Sequence, residues 1–378
     1  MLKKAHDHDK DLIDWLRLSR TPYIGPITFK KCIESFGTAT NALEALPELS
    51  KRGGRKKPLT PPSISSIEQE LEKLFKAGGH ILTWEDDDFP AQLKIIEDAP
   101  TTLSYFGSLT PLTSQNIIAI VGARNASLNG QKFTKKLAAE LGQNGHIIAS
   151  GLARGIDTAA HEGSVETGTI AILAGGIDVI YPRENQKLYE EIIEKNSIII
   201  GESALGTQPT ARHFPKRNRI ISGLSQAVIV VEAATRSGSL ITARTALEQG
   251  RDVMAVPGYP NDPRAQGPNK LIREGAILIR NAKDVLSDIN DFDQFLTPKH
   301  DLFSTQINES PQESFDHIEE LSDLILDRLS AQAISIDELA REIDRPISSL
   351  NASLLALELA GQIERLPGNR VARLMEVG

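Results

Sequence analysis

The chain has 378 residues and carries 42 Lys and Arg side chains against 50 Asp and Glu, which gives a formal net charge of −8. A chain of this length suits two or three domains, and its apolar and charged fractions of 40% and 24% are those of an ordinary globular protein. The single cysteine, Cys32, excludes an internal disulfide, and the lack of a signal-peptide segment or an apolar run of roughly 18 residues predicts a cytoplasmic protein without a membrane span.

The first segment, residues 1–78, predicts a small helical domain. Residues 12–16 begin an amphipathic helix, the Pro-Tyr-Ile-Gly-Pro turn at 22–26 breaks it, and Gly37 ends the next helix. A Pro-x-Ile-Gly turn between helices resembles the hairpin of helix-hairpin-helix modules, and a plain helical adaptor is the alternative. We therefore predict a helical domain of the SAM or helix-hairpin-helix type, with an exposed loop at 51–66.

The centre of the chain, residues 79–290, alternates between short apolar runs and helical spacers. Continuous apolar runs suit strands that are buried on both faces, as in a parallel sheet, and the spacers then form right-handed crossovers. We predict an α/β domain whose core is a Rossmann-like, doubly wound, mostly parallel sheet. The predicted strands are 117–121, 146–150, 169–173, 197–201, 227–231, 252–256 and 276–280.

Two segments follow the α/β domain. Residues 291–318 are acidic and rich in Ser, Gln and Pro, which predicts a linker. Residues 319–378 show three helical patterns and then a hairpin-like end with Pro-Gly-Asn at its turn, which is typical of a winged helix. The predicted helices cover about 319–330, 335–343 and 347–361.

The predicted winged helix is acidic, with a net charge of −5 over residues 319–378. Its presumed recognition helix, ISSLNASLLALELAGQ, contains neither Lys nor Arg. Affinity for duplex DNA rests mainly on cations that meet phosphates. We therefore predict that this module does not bind DNA strongly and serves a protein contact or autoregulation.

Glycine-rich loops follow several of the predicted strands. Ligands of open α/β sheets bind at the carboxyl edge of the strands, near the point at which the strand order reverses. Glycines let backbone amides approach an anion closely, and helix N-termini add a partial positive charge. Each loop alone is most simply a turn, but the set together predicts a site for a phosphate-bearing ligand. The loops lie at 122–127, 151–157, 174–176, 232–243 and 257–258.

The common phosphate-binding motifs do not fit these loops. After the first strand, GARNASLNG lacks the second glycine of a dinucleotide fingerprint and places Arg124 there, so NAD and FAD are disfavoured, and no P-loop is present. Asp157, Glu202 and Glu232 fall near the edge without a nucleophile motif, and His161 is more simply a local partner of Asp157. We predict no cofactor, no metal and no catalytic residue.

A basic stretch, RHFPKRNRIISGLS at residues 212–225, contrasts with the acidic chain. Pro215 suits the first position of a helix, and Arg217 falls in the angular sector of the buried stripe but one turn earlier, which directs it over the end of the sheet. Phe214, placed before the helix, is either a hydrophobic staple or a stacking platform for a nucleobase. The buried stripe of this helix consists of Ile220, Ile221 and Leu224.

Six blocks in order resemble the DprA/Smf family, the DNA-processing protein A of bacteria, over residues 79–290. The blocks are GARNAS, SGLARGIDTAAH, LAGGIDVIYPRENQKLYEEI, FPKRNRIISGLS, VVEAATRSGSLITARTALEQGRDVMAVPG and GPNKLIREGA. The resemblance implies a single-stranded DNA-binding protein of natural transformation that protects incoming strands and loads the RecA recombinase onto them. It also implies a Rossmann-like core without a nucleotide cofactor, a homodimer formed near residues 267–280, and no enzymatic activity.

The same resemblance implies a binding site for single-stranded DNA, residue by residue. The glycine-rich pocket of the family corresponds to Gly122, Arg124, Ser150, Gly151 and Gly155. Its FPxRNR block corresponds to Phe214, Arg217, Asn218 and Arg219, and its SGSLIT block to Ser237, Gly238, Ser239 and Thr242. Arg154 and Lys216 are less closely tied to the family pattern and are interpreted as supporting charge, as are Arg212 and His213.

Two other classes of function remain open. Nucleotide-processing enzymes of the lysine-decarboxylase-like Rossmann group also bind phosphate with glycines at strand ends. They typically carry Pro-Gly-Gly-x-Gly-Thr followed by Glu, whereas the comparable turn here, TRSGSLITARTALE, lacks the double glycine. A purely structural adaptor for recombination proteins is the third possibility, and it predicts no DNA binding by the core alone.

Overall fold

The computed structural model describes residues 9–52, 57–295, 317–330, 332–345, 347–366 and 369–374. The chain folds into two compact units, Glu72–His300 and a second unit that joins Met1–Leu71 with Asp301–Gly378. The two ends of the chain therefore belong to one unit. Within the described ranges, no helix is both long and apolar enough to cross a lipid bilayer.

The N-terminal part is helical. Its helices are α1 (Asp9–Ser19), α2 (Pro26–Phe36), α3 (Ala39–Arg52) and α4 (Ile64–Lys76). Between α1 and α2 the chain turns through Tyr23, which has a positive φ of 71°, and α2 then begins with Pro26 at its first position. Proline is favoured there because the first helical amide has no partner inside the helix. The predicted pair of helices joined by a turn is present.

The large unit contains one sheet of nine strands in the order β1-β2-β6-β5-β4-β3-β7-β8-β9. The strands are β1 (His80–Thr83), β2 (Thr102–Gly107), β3 (Ile117–Val121), β4 (Ile147–Ser150), β5 (Thr169–Ile172), β6 (Ile198–Gly201), β7 (Ala227–Val230), β8 (Asp252–Ala255) and β9 (Ile277–Leu278). The seven strands from β6 to β9 in this order pair in parallel, while β2 is antiparallel to β6 and β1 to β2. The mostly parallel, doubly wound sheet is confirmed, and the two antiparallel strands at one edge are additional to the prediction.

Strand residues alternate between two buried layers. In β3, Ile117, Ala119 and Val121 belong to one apolar cluster, and Ile118 and Ile120 belong to the cluster on the other face. Because helices cover both faces of the sheet, the inner strands are mostly apolar on both faces, and the sequence shows continuous runs instead of alternation.

Helices connect the strands and cover the sheet. They are α5 (Ala91–Lys94), α6 (Leu128–Gln143), α7 (Ile156–Ser164), α8 (Gln186–Glu194), α9 (His213–Leu224), α10 (Gly238–Glu248), α11 (Gln266–Arg273) and α12 (Ala282–Phe295), with a 3-10 turn at Arg183–Asn185. From β3 the chain proceeds through β4, β5 and β6 in one direction and returns to β7 on the other side of β3. The strand order therefore reverses between β3 and β7, which is where such folds bind ligands.

The C-terminal part has the winged-helix order of elements. They are α13 (His317–Arg328), β10 (Ile334–Ser335), α14 (Ile336–Ile343), α15 (Ile347–Leu359), β11 (Ile363–Leu366) and β12 (Arg370–Arg373). The strands form an antiparallel sheet in the order β10-β12-β11, and α13, α14 and α15 share one apolar core with it. The predicted winged helix is confirmed. The predicted linker at 291–318 begins inside α12, and residues 296–316 lie outside the described residues.

Candidate functional site

The loops that follow β3, β4 and β7 pack closely at the carboxyl edge of the sheet. A Cβ atom on Gly122, directly after β3, would lie 2.6 Å from Cγ1 of Ile156 and 2.9 Å from the carbonyl oxygen of Glu232. Gly155 has a φ of +78°, and a Cβ atom there would lie 2.3 Å from the carbonyl oxygen of Ala123. Only glycine satisfies these approaches, so the loops after β3, β4 and β7 meet closely at Gly122 and Gly155.

The loop after β3 is fixed by a carboxylate. Ser127 caps α6 by accepting a hydrogen bond from the amide of Gly130 at 2.9 Å. Glu232, after β7, accepts hydrogen bonds from the Ser127 amide at 2.8 Å and from its hydroxyl at 2.6 Å. The N-terminus of α6 is therefore next to a negative charge of the protein itself, so an anionic ligand would meet repulsion there.

Arg217 lies beneath the edge and not on its surface. Its side chain is only 6% exposed, and its Nη1 donates to the carbonyl oxygens of Gly151 at 2.6 Å and Ile172 at 2.5 Å. Burial lowers the pKa of the guanidinium to about 10, so it remains charged near neutral pH. Ser150 is also buried, and its hydroxyl donates to the carbonyl oxygen of Ile120 at 2.6 Å. Both side chains were expected to face a ligand, and both instead join strand ends.

The loop after β4 is held from the other side by Asp157. Its carboxylate accepts hydrogen bonds from the amides of Gly151 at 3.2 Å and Ala153 at 3.4 Å. Burial raises the pKa of Asp157, and the charge of Arg217 opposes that rise. His161 accepts a hydrogen bond from an amide of the same loop, that of Leu152, at 3.3 Å, and burial lowers its pKa to about 3. His161 is thus neutral at physiological pH.

Asn218 and Arg219 of the FPxRNR block are also buried. Arg219 donates from Nη2 to both carboxylate oxygens of Glu202 at 2.6 Å, and its Nε lies 3.5 Å from a carboxylate oxygen of Asp98. Asn218 accepts a hydrogen bond from Nε of Arg217 at 3.2 Å. These side chains connect α9 to the loop after β6 and to the segment before β2, so their charges are used within the fold.

The N-terminus of α10 presents backbone to the edge. Ser237 caps the helix, and its hydroxyl shares a hydrogen bond of 2.7 Å with that of Ser239. Ser239 and Thr242 are buried, whereas Gly238 is exposed and a Cβ atom there would meet no other group within 4 Å. Arg236 is exposed immediately before this helix. This helix end therefore combines an exposed glycine with an exposed cation.

An exposed cluster of one cation and two rings lies above the buried arginine. The guanidinium carbon of Arg124, from the loop after β3, is 4.8 Å from the centre of the Phe214 ring. The Tyr181 ring also lies next to the Phe214 ring. The two ring centres are 6.0 Å apart and the ring planes are tilted by 58°. Arg124 and Tyr181 are exposed, Tyr181 at 50%, and Phe214 is half-buried. We call Arg124, Tyr181 and Phe214 the aromatic cluster.

Phe214 belongs to α9, which begins at His213. The sequence predicts a helix that begins at Pro215, with Phe214 before it, and this boundary is wrong. The helix starts earlier because the amide of His213 already bonds the carbonyl oxygen of Thr210 at 2.9 Å, and a proline in the first turn costs no intrahelical hydrogen bond. As the second helical residue, Phe214 projects from the end of α9 toward Arg124 and Tyr181.

The supporting cations lie around the same edge. Arg154 is exposed and forms an ion pair with Glu184, which is equally exposed. Lys216 and Arg212 are exposed at the start of α9. An ion pair between two solvated side chains contributes little to stability, so Arg154 can exchange Glu184 for another anion at low cost.

The predicted site residues therefore divide into two groups. Those that face solvent are Gly122, Arg124, Arg154, Gly155, Phe214, Lys216, Ser237 and Gly238, and those buried beneath them are Ser150, Gly151, Arg217, Asn218, Arg219, Ser239 and Thr242. Tyr181 lies in the block LAGGIDVIYPREN, but the sequence alone does not mark it as a site residue. Within the described residues, no cluster of His, Cys, Asp or Glu is arranged to hold a metal ion.

Models of three protein families match the chain. The model described as DNA recombination-mediator protein A matches residues 80–290, the DprA-like N-terminal HHH domain matches residues 9–72, and the DprA winged helix domain matches residues 309–369. The chain is also similar to the protein Smf of Escherichia coli, with 36% identity over 81% of the chain and 80% of that protein. The protein Smf of Synechocystis sp. is 32% identical over 95% of the chain and 98% of that protein.

Two solved structures resemble the chain. The DNA processing protein A of Streptococcus pneumoniae superposes with a TM-score of 0.62 at 35% identity, covering 74% of this chain and 97% of that one. The structure of DNA processing protein A from Helicobacter pylori, described by its single-stranded DNA binding mode, gives a TM-score of 0.52 at 30% identity over 57% of this chain and 96% of that one. Over the 74% and 57% of the chain that these superpositions cover, the fold is thus shared with these proteins.

Proposed function

Because the chain belongs to the DprA/Smf family of DNA recombination mediators, we propose that it binds single-stranded DNA at the carboxyl edge of its sheet and passes that DNA to the RecA recombinase. The observation that carries the proposal is the aromatic cluster at the reversal of strand order. Single-stranded nucleic acid offers unpaired bases, which stack on aromatic rings, together with phosphates, which attract cations. Arg124 lies over one of the two rings, so charge and stacking surface occur at the same place.

The distribution of charge supports a strand as the ligand. Arg154, Lys216, Arg212 and Arg236 are all exposed on loops or helix starts around the same edge. Since the chain as a whole carries a net charge of −8, these cations are a local feature and not part of a generally basic surface. A few placed cations attract the backbone, while the acidic remainder disfavours unspecific binding.

The buried members of the predicted site act by position. Arg217 holds the ends of β4 and β5, and Asp157 holds the amides of the loop between β4 and α7. These contacts fix the glycine-rich loops and the start of α9, which carries Phe214. We therefore assign contact with DNA to the exposed group of predicted residues and the shaping of the site to Ser150, Gly151, Arg217, Asn218 and Arg219.

We also propose that the protein forms a homodimer through residues 267–280. Two apolar side chains near this segment are solvent-exposed, Tyr259 at 71% and Leu278 at 45%. Leu278 lies in β9, the strand at the end of the sheet. An edge strand with an exposed apolar side chain is a natural surface for a second copy of the chain.

We infer that the protein acts by binding and not by catalysis, in the cytoplasm where incoming DNA meets RecA. The carboxylates near the edge each have partners within the fold: Glu232 bonds Ser127, Asp157 bonds loop amides and Glu202 pairs with Arg219. His161 is neutral and buried. This arrangement favours structural roles for these groups over general acid–base chemistry.

One binding series tests the proposal. Fluorescence anisotropy compares labelled single-stranded DNA with a duplex of the same sequence and with nucleoside monophosphates. We expect the single strand to bind most tightly, with an affinity that falls as salt rises. Equal binding of duplex, or release of a free base from a nucleoside monophosphate, would favour another function. Formation of RecA filaments on the strand, measured with and without the protein, tests delivery separately.

A further inference from the structure

The third helix of the winged helix, α15, is buried on two opposite faces. Leu350, Leu354 and Leu357 lie on one face and belong to the core that α15 shares with α13, α14 and the small sheet. Leu355 and Leu359 lie roughly opposite, given about 100° per helical residue, and are buried as well. A helix that is apolar all round is covered all round. The core of the winged helix accounts for only one of these faces.

Helix α15 also packs against the N-terminal helices α2 and α3, within the same compact unit, and we assign its second face to this contact. A polar contact marks this interface. Thr28, on α2, donates a hydrogen bond from its hydroxyl to Oε1 of Glu358 at 2.7 Å. The other carboxylate oxygen of Glu358 lies 3.2 Å from Nε of Arg365, which is on β11. Glu358 is therefore held between a donor of the N-terminal helices and a cation of the winged helix.

This polar contact is enclosed. The side chains of Arg365 and Glu358 are only 4% and 12% exposed, and Thr28 and Cys32 of α2 are buried. A buried carboxylate is costly unless it is paired and hydrogen-bonded, so the Thr28 hydroxyl is a matched partner and not an incidental neighbour. Cys32 lies one turn after Thr28. Burial raises the pKa of its thiol to about 12, and the nearby charge of Glu358 is the second cause.

We propose that the winged helix is a docking module whose partner is the N-terminal helical domain of the same chain. In DNA-reading relatives of the helix-turn-helix, the second helix of the motif enters the major groove. Here the corresponding helix, α15, instead binds α2 and α3. The contact ties the two ends of the chain into one unit, and its inference does not rest on the DNA binding proposed for the edge of the large sheet.

Charge and composition favour this partner over DNA. The segment from 347 to 362 contains no Lys or Arg, so α15 has no cation to meet a phosphate. Its second face offers Leu355, Leu359 and the carboxylate of Glu358. This combination suits an apolar partner helix that carries one hydrogen-bond donor. The face of α2 offers Thr28 and Cys32, small side chains that allow a close approach.

Hydrogen exchange of the full chain, followed by mass spectrometry, tests the docking. Thr28→Arg places a bulky cation in the interface from the N-terminal side. We expect amides of α15 to exchange about tenfold faster or more, while β3 to β7 are unchanged. Leu355→Asp is the reciprocal change and should accelerate exchange in α2 and α3. Leu324→Asp, on the exposed face of α13, is the matched control and should leave α2 and α3 protected.

Each outcome decides for or against the proposal. Unchanged exchange in α15 of the Thr28→Arg protein would overturn it, because the winged-helix core alone would then protect that helix. Protection of α15 that disappears on dilution of the unmodified protein would also overturn it, since the partner would be the N-terminal domain of a second copy. If Thr28→Arg unfolds the N-terminal domain altogether, docking still requires α15 to lose protection while β12 keeps it.

Discussion

Arg217 donates a hydrogen bond of 2.6 Å to the carbonyl oxygen of Gly151, and a Cβ atom on Gly151 would lie 2.0 Å from that same Nη1. The arginine therefore fills the space that any larger residue at position 151 would need. The two residues are far apart in sequence and fix each other at the edge of the sheet. Because these contacts hold the side chain beneath the edge, we expect Arg217 to shape the site and not to contact the DNA.

Replacing Arg217 by Ala is expected to lower stability much more than the salt dependence of binding. The change leaves the carbonyl oxygens of Gly151 and Ile172 without their donor and removes the positive charge near the buried Asp157, and each buried group left unpaired costs about 1–3 kcal/mol. The free energy of unfolding in urea and the slope of log affinity against log salt are the two measurements. Lys216→Ala, at the exposed neighbour, should leave stability unchanged. A normal stability with a slope reduced by one phosphate contact would show that Arg217 meets the DNA directly.

Replacing Arg124 by Ala is expected to give the opposite result. The side chain is exposed, so the midpoint of thermal unfolding should hardly move. Loss of one phosphate contact should reduce the salt slope of single-strand binding by about one. Arg124→Lys should retain the slope, because it keeps the charge, while weakening affinity through loss of the planar contact with Phe214. If Arg124→Ala retains the full slope, Arg124 serves only to support the ring.

Phe214 and Tyr181 are expected to contribute to binding through their faces. Phe214→Ala should weaken single-strand binding by about 1–3 kcal/mol, the typical contribution of a ring that stacks on a base. Phe214→Leu keeps apolar volume without an aromatic face. We expect this variant to be as stable as the unmodified protein but to bind the single strand as weakly as Phe214→Ala. Tyr181→Ala should weaken binding, whereas Tyr181→Phe should not. Should Phe214→Ala lower stability and leave affinity intact, the ring is a staple for α9.

Acid is expected to destabilise the protein through His161. Its pKa is about 3 in the folded chain against an ordinary 6.5, so the unfolded chain binds the proton more readily. The stability that His161 contributes is present above pH 6.5 and is lost as the pH falls from 6.5 toward 3, with a slope of up to about 1.4 kcal/mol per pH unit. Asp157 has a raised pKa, which acts in the opposite sense, so the share of His161 must be taken as a difference between two proteins.

The matched protein for that difference is His161→Gln, whose amide oxygen can still accept from Leu152. Urea unfolding of both proteins between pH 7 and 4 gives the two curves. The gap between them should close as the pH falls. Parallel curves would mean that His161 titrates at the same pH in the folded and unfolded chains.

Much of the fold follows from the sequence because it depends on local patterns. Strands buried on both faces are mostly apolar, and the runs that define β3 to β8 are apolar apart from residues at their ends such as Ser150, Thr169 and Asp252. The edge strands β1 and β2 were not predicted because HILT and TLSYFG are short and mix polar with apolar residues. Such strands form because they pair with a neighbour that lies far away in sequence, as β2 pairs with β6.

The candidate site could be located from the sequence but not divided into contacting and supporting residues. A helical wheel placed Arg217 correctly at the end of the sheet, but no local rule shows that the carbonyl oxygens of Gly151 and Ile172 lie within its reach. The same holds for Arg219, whose carboxylate partner Glu202 follows a different strand. Tyr181 meets Phe214 only because the loops after β5 and β6 converge.

The final prediction concerns the proposed dimer. Leu278 is 45% exposed on β9, and a charge in its place would have to be buried unpaired if this edge faced a second copy. Leu278→Asp is therefore expected to give a monomer by sedimentation equilibrium, with the midpoint of thermal unfolding of the monomer unit preserved. Ile95→Asp is the control, because Ile95 is 73% exposed after α5, away from β9, and should leave the dimer intact. A dimer that survives Leu278→Asp would place the interface elsewhere. An unmodified protein that sediments as a monomer would contradict the proposed dimer. Since Arg124 and Phe214 belong to one subunit, the monomeric variant should still bind a short strand with the same salt slope, and lose affinity only for strands long enough to engage two sites at once.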